Sequence, residues 1–132
     1  MIVSSIILLL LTFSSESDFI KEYFDKTEYR NVANVIVAIS RLETGHYKSK
    51  AHISRNNYFS YKDFKHPECR SKPIYCLKTY RTIEESCKDL LEYLRRKDYS
   101  TSSAEDFYRD LVRNRYAEDE NYINILRKIK VR

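Results

Sequence analysis

Along much of the chain apolar residues recur at spacings of three and four, the mark of helices with one buried face. Between residues 29 and 42, Val32, Val35, Ile36, Ile39 and Leu42 follow that spacing, and Ala33, Val37 and Ala38 fill most of the other positions. A helix that is apolar nearly all round belongs inside a core, so this one is predicted to be central. It stops at Glu43-Thr44-Gly45, where Gly45 suits the left-handed conformation of a helix C-terminus. A shorter helix is predicted over residues 18–25, with Phe19, Tyr23 and Phe24 on one side. Downstream, Thr82-x-x-Glu85 has the form of a capping box and opens a helix with Ile83, Cys87, Leu90, Leu91 and Leu94 on one stripe. Ser102-x-x-Glu105 has the same form and opens a helix with Tyr108, Leu111 and Val112 inward. Asp119 is placed to cap a last helix whose inward residues are Tyr122, Ile125, Leu126 and Ile129.

Residues 56–79 break this pattern. They hold both prolines, two cysteines and several aromatics, and read as a loop and a short β-hairpin with strands near 58–62 and 74–79. The expected fold is therefore mainly α (α+β), a helical domain with a small β-hairpin insertion after the central helix. At the N-terminus, residues 2–13 are apolar apart from Ser4, Ser5 and Thr12. A dozen residues fall short of the ~20 needed to cross a bilayer but fit the apolar region of a secretory signal, with Ser14, Ser15 and Ser17 available for cleavage. No Lys or Arg precedes the run. The expected organisation is a signal-like or anchoring leader over 1–17 and one domain over 18–132. A secreted, periplasmic or wall-associated protein follows, with no membrane span unless the leader is retained; a buried N-terminal segment is the alternative.

Composition narrows the chemistry. With a single glycine, Gly45, in 132 residues, glycine-rich phosphate loops and dinucleotide fingerprints are excluded. Hydrophobic residues at 42% exclude a disordered chain. The net charge of +5 suits any polyanion, whether nucleic acid, anionic lipid or wall polymer. The clusters Arg95-Arg96-Lys97 and Arg127-Lys128-Lys130-Arg132 lie on helical patterns and read as solvated faces. Cys69, Cys76 and Cys87 form an odd set. In an exported chain, Cys69 and Cys76 are placed to close a short disulfide loop, leaving Cys87 as a buried thiol on its helical stripe. His66-x-x-Cys69 with Cys76 has some of the residue types of a zinc site, without regular spacing in the second ligand pair. Neither metal nor cofactor is expected.

One residue looks chemical. Glu43 follows Ile39 by four and Ile36 by seven, which puts it on the apolar face at the C-terminal end of the most hydrophobic helix. Poor solvation and the negative end of the helix dipole both disfavour the charged form and raise the pKa, as a general acid near neutral pH requires. The alternative is a helix-end carboxylate turned to solvent or paired with Arg41 or Lys48.

The surroundings of Glu43 carry a resemblance. Glu43-Thr44-Gly45-His46-Tyr47-Lys48-Ser49 is followed by Asn56-Asn57-Tyr58-Phe59-Ser60-Tyr61-Lys62, then by Tyr80-Arg81-Thr82-Ile83-Glu84-Glu85-Ser86 and Arg115-Tyr116-Ala117-Glu118-Asp119-Glu120-Asn121-Tyr122. In this order the four blocks resemble the glucosaminidase domain of bacterial and phage wall hydrolases, glycoside hydrolase family 73 of the lysozyme-like superfamily. The resemblance implies a lysozyme-like helical fold with a hairpin beside a saccharide cleft, and peptidoglycan glycan strands as the partner. It implies hydrolysis of the β-1,4 bond after N-acetylglucosamine. Glu43 matches the catalytic glutamate and Tyr116 the tyrosine of the catalytic centre. Asn56, Asn57 and Phe59 match the block at the base of the cleft, and Tyr47 and Tyr122 are further candidates for sugar contact.

There are departures from the family pattern. Ser60 replaces the usual glycine after Phe59, and His46-Tyr47 replaces the commoner Trp-Gly. Glycoside hydrolysis normally uses two carboxylates, and the insertion offers only Asp63 and Glu68, of which Asp63 is the better placed. Otherwise Glu43 acts alone, with the substrate N-acetyl group or a water positioned by Tyr116 completing the reaction. Bland readings stand beside these: Tyr122 as a core residue, Asn57 as a turn residue, and His46 and His52 as surface residues. Two other function classes remain open, a non-catalytic wall-binding relative and a basic nucleic-acid-binding module. No nucleic-acid partner is expected, and a monomer is the default.

Overall fold

The first helix, α1 (Glu16–Asp25), starts two residues earlier than the apolar pattern suggested, because the Ser15 side chain accepts a hydrogen bond from the Asp18 amide and caps it. In this computed structural model the described residues are 15–63, 69, 76–117, 119 and 121–131. The apolar leader over 2–13 and Glu68 lie outside them. Among the described residues the chain forms six α-helices, and none is long and apolar enough to cross a membrane.

After α1, a 3-10 turn (Arg30–Val32) leads into α2 (Ala33–Glu43). Helix α2 is the hub, as its pattern implied. Seven of its eleven residues are buried, from Ala33 to Ser40, with only Asn34 exposed among them. Helices α1 and α6 (Tyr122–Lys128) both pack on it. A short α3 (Lys50–Ile53) follows, capped by Ser49. Then comes the irregular insertion. Helix α4 (Ile83–Arg96) buries Cys87, Leu90, Leu91 and Leu94 on the predicted stripe and contacts α1. Thr82 caps it by accepting from the Glu85 amide, and the Glu85 carboxylate accepts in return from the Arg81 amide.

Two sequence expectations shift. Helix α5 (Ala104–Arg113) is capped by Ser103, not Ser102, with the Ser103 hydroxyl accepting from the Asp106 amide. Phe107 and Leu111 form its buried stripe, Tyr108 sits half-buried on the flank, and Val112 is 65% exposed. Residues four apart share a face, and Val112 lies a further 100° round the helix. In α6, Tyr122 and Leu126 are buried, whereas Ile125 is 41% exposed. Asp119 is not the cap itself; its carboxylate accepts from the Asn121 amide and its carbonyl from the Tyr122 amide.

The insertion is far less sheet-like than a hairpin. Among the described residues its pairing is one antiparallel bridge between Lys62 and Leu77, flanked by hydrogen bonds from the Asp63 amide to Cys76 and from the Lys78 amide to Tyr61. Residues 58–60 turn instead of extending, since Ser60 adopts φ +56°. The Cys69–Cys76 disulfide forms. It uses both thiols that a zinc site needed, and the His66 of that alternative lies outside the described residues. Cys87 is buried and reduced. The basic clusters are partly neutralised: Arg95 makes a two-point bond to Glu28, and Arg127 to Glu105.

The register of α5 is directly testable by urea denaturation. Phe107→Ala is expected to cost ~3–5 kcal/mol of stability, the scale of a fully buried phenylalanine. Val112→Ala is expected to stay within ~0.5 kcal/mol, as surface changes do.

Candidate active site

The segment that follows Glu43 turns back through three left-handed residues in succession, Gly45, His46 and Tyr47, with φ of +58°, +58° and +65°. The expectation for Gly45 holds, and the turn goes further than a single glycine. Left-handed backbone disfavours residues with a Cβ, so the turn needs support. Thr44, fully buried, supplies it. Its hydroxyl donates to the Ser40 carbonyl and accepts from the Tyr47 amide, while the His46 amide donates to Arg41 and the Ser49 amide to Thr44. Tyr47 is not among the residues that line the cleft containing Glu43. Its hydroxyl sits 2.9 Å from Ser17 and 2.7 Å from Ser40. Because Ser40 donates to the Val37 carbonyl, it accepts from Tyr47. The Tyr47 oxygen then accepts from Ser17, which itself accepts from Arg41. Tyr47 is a strut between α1 and α2, and Arg41, committed to Ser17 and the Lys130 carbonyl, is no partner of Glu43.

Glu43 itself opens into a cleft of about 520 Å³. One wall is the insertion, Phe59 to Lys62; the other is Leu90 and Tyr93 of α4 with the Arg115-Tyr116-Ala117 segment. Burial is the strongest influence on the Glu43 carboxyl and raises its pKa. Hydrogen bonds from Ser60 and from Tyr122, and the charge of Lys62, pull in the other direction without cancelling it. The Tyr122 hydroxyl donates to Oε1 at 3.2 Å. This tyrosine is buried, so it belongs both to the core and to the site.

Tyr116 lines the cleft beside Tyr93 and Tyr122, with ring centroids 5.9 and 6.1 Å away, and its hydroxyl donates to the Phe59 carbonyl. Burial first, then the neighbouring Tyr122 and Glu43, hold its pKa well above that of an ordinary tyrosine. It is a neutral hydrogen-bonding phenol. Phe59 packs edge-on to Phe24 in the core while contributing to the cleft.

The two asparagines hold the insertion in place. Asn57 is fully buried; its amide nitrogen donates to the Tyr61 and Lys78 carbonyls and its oxygen accepts from the Tyr61 amide. Asn56, at φ +49°, donates to the carbonyls of Tyr80 and Arg81. Asp63 follows directly after the cleft residue Lys62 but does not line the cleft, and its amide is paired with Cys76.

Several cleft residues escaped the sequence reading: Ser60, Tyr61, Lys62, Tyr93 and Arg115. His52, expected at the surface, is half-buried, with both ring nitrogens hydrogen-bonded. His46 is exposed as expected. Among the described residues no cluster of His, Cys, Asp and Glu is arranged to hold a metal ion.

Residues 20–131 match the model of the family described as Glucosaminidase, mannosyl-glycoprotein endo-beta-N-acetylglucosaminidase. No curated protein and no solved structure matches the chain.

The Glu43 environment has a consequence for stability. A carboxyl whose pKa is higher in the folded than in the unfolded state binds its proton more tightly when folded. Its penalty on the fold is absent below the ordinary value of 4.5 and grows as pH rises toward the folded value. Glu43→Gln, which keeps an oxygen to accept from Tyr122, is therefore expected to be more stable than the parent at pH 7. Urea titrations at pH 4 and pH 7 should show that advantage only at the higher pH.

Proposed function

The chain belongs to the glucosaminidase family, whose function is of the glycosidase kind, and from that premise we propose that it cleaves peptidoglycan after N-acetylglucosamine with Glu43 as general acid. The observation that carries the reading is Glu43: one carboxyl with its pKa raised by burial, at the end of the central helix, opening into an aromatic-lined cleft. A protonated carboxyl there can donate to the glycosidic oxygen as the C1–O bond breaks. The hydroxyl of Tyr122, already on Oε1, stabilises the carboxylate left behind. Rings of Tyr93 and Tyr116 offer faces for sugar packing, and Lys62 and Arg115 suit a strand that carries lactyl and peptide carboxylates.

Among the described residues, Glu43 is the one carboxylate lining the cleft. That favours a single-carboxylate scheme over one using Asp63. In this scheme the N-acetyl oxygen of the substrate attacks C1 as Glu43 protonates the leaving oxygen; a water then attacks C1, breaking the C1–O bond to the acetyl oxygen, and gives its proton to the Glu43 carboxylate. In the other form a water held near Tyr116 attacks C1 directly and loses its proton to solvent while Glu43 protonates the leaving oxygen. Substrate-assisted cleavage of this kind is an established exception to the two-carboxylate rule. In the same reading Asn56 and Asn57 shape the cleft through the insertion loop, Phe59 contributes to its wall, and Tyr47 braces the turn after Glu43. The Cys69–Cys76 disulfide supports export to an oxidising compartment, which agrees with the apolar leader and with a wall substrate.

Clearing of purified cell walls tests the assignment. Glu43→Gln is expected to lower the rate at least ~100-fold, the usual scale of general acid catalysis, with unchanged helicity. Asp63→Asn is expected to lose less than ~10-fold, since an essential second carboxylate would cost far more. Mass spectrometry of the fragments should find N-acetylglucosamine at the new reducing ends. A new N-acetylmuramic acid end would make the protein a muramidase on this fold. Intact walls with the parent protein would favour a wall-binding relative without turnover.

A further inference from the structure

The Ser60 hydroxyl lies 2.8 Å from Nε2 of His52, and Ser60 lines the same cleft as Glu43. It favours the ionised form of the Glu43 carboxyl. On the far side of the ring, Nδ1 of His52 is 2.6 Å from Oγ of Ser49. Ser49, His52 and Ser60 thus form a line from the cap of α3 to the cleft into which Glu43, at the end of α2, opens.

Counting donors gives the line a direction. A hydroxyl beside a carboxylate can only donate to it, which assigns Ser60 the donor's part toward Glu43. Its oxygen is then left to accept from His52 Nε2–H. An imidazole with its proton on Nε2 has Nδ1 available to accept from Ser49. Each bond polarises the next in the same sense. The line also accounts for a strained residue: Ser60 holds φ +56°, a conformation that glycine adopts more readily. Its side chain is what glycine could not supply.

We propose that Ser49, His52 and Ser60 are positioning residues for Glu43, a relay that keeps a hydroxyl donor on the carboxyl and thereby sets the pH at which it ionises. The proposal deepens the assignment of Glu43 as the acid and rests on it for its bearing on catalysis. Other groups act on the same carboxyl. Lys62 of the insertion favours its ionised form, Tyr122 of α6 donates to it, Tyr116 stands beside it, and Arg115 lines the same cleft. His52 is faced by Arg55, which together with burial holds its pKa below that of an ordinary histidine. A neutral ring serves here, because the relay needs only its Nε2–H dipole.

Titration of the Glu43 side-chain carboxyl carbon by NMR tests the relay without requiring turnover. Parent protein, Ser60→Gly, His52→Gln, His52→Leu and the Ser60→Gly/His52→Leu double variant are compared, with circular dichroism and melting as checks on the fold. Ser60→Gly suits its backbone conformation, so it removes the hydroxyl with little risk to folding. Its Glu43 midpoint is expected to rise by about one pH unit, the scale of one lost hydrogen bond to a charged oxygen. His52→Leu is expected to move it in the same direction, and the double variant no further than Ser60→Gly alone. His52→Gln, whose amide still offers a donor, is expected to return the midpoint toward that of the parent. In wall clearing, the alkaline limb of the pH profile should move up with the midpoint, because the acid must be protonated to act.

Folded Ser60→Gly and His52→Leu proteins with the parent's midpoint would overturn the relay. If the parent clears walls and Glu43→Gln does not, that result leaves the acid assignment standing and removes the relay alone. If the midpoints move as expected but the parent clears no walls, the relay stands and the hydrolase reading falls.

Discussion

The desolvation of one carboxyl organises this molecule. Glu43 ends a helix that is buried almost all round, and it sits half-buried where that helix meets the cleft. Its neutral form is favoured by that burial, while the hydroxyls of Tyr122 and Ser60 and the charge of Lys62 offer the ionised form partial compensation. A carboxyl caught between these influences keeps its proton to a higher pH than an exposed glutamate does. Most of the other features of the site hold this balance in place.

The insertion is the clearest example. With a single β-bridge among its described residues, its shape does not come from a sheet. It comes from side chains that bond backbone. Asn57 closes the loop on itself and on Lys78, Asn56 ties it to the segment before α4, and the Tyr58 amide donates to the buried Ser86. The Tyr80 hydroxyl adds a bond to Asp89 on α4. The motif Asn-Asn-x-Phe thus works here mainly as scaffolding: Phe59 lines the cleft, and the rest of that wall is Ser60, Tyr61 and Lys62.

Two left-handed residues stand where the family pattern this chain resembles has glycine, Tyr47 and Ser60. Each spends some conformational energy and gains hydrogen bonds in return. Tyr47 links α1 to α2 through Ser17 and Ser40; Ser60 joins His52 to the cleft into which Glu43 opens. Backbone strain of this kind gathers at functional sites because the surrounding structure over-determines it, and here both strained residues flank the same carboxyl.

Much of this was legible in the order of the residues. The three-and-four spacing of apolar positions marked the helices, named α2 as the central one and put Glu43 on its buried face. The Thr82 cap and the Cys69–Cys76 bridge were readable because both depend on residues close together in the chain. Contacts between distant segments were not readable. Tyr122 reaches Glu43 across 79 positions and Tyr116 reaches Phe59 across 57, and no local pattern encodes such approaches. Helix α5 shows how small the margin is, since Leu111 and Val112 are neighbours on an apolar flank and packing buried Leu111 with Phe107 while leaving Val112 65% exposed. His52 meets Ser60 only because the insertion turns back toward α3. Local spacing decides which face of a helix is apolar; only the packing of those faces decides which polar atoms are left to meet at the seam between them.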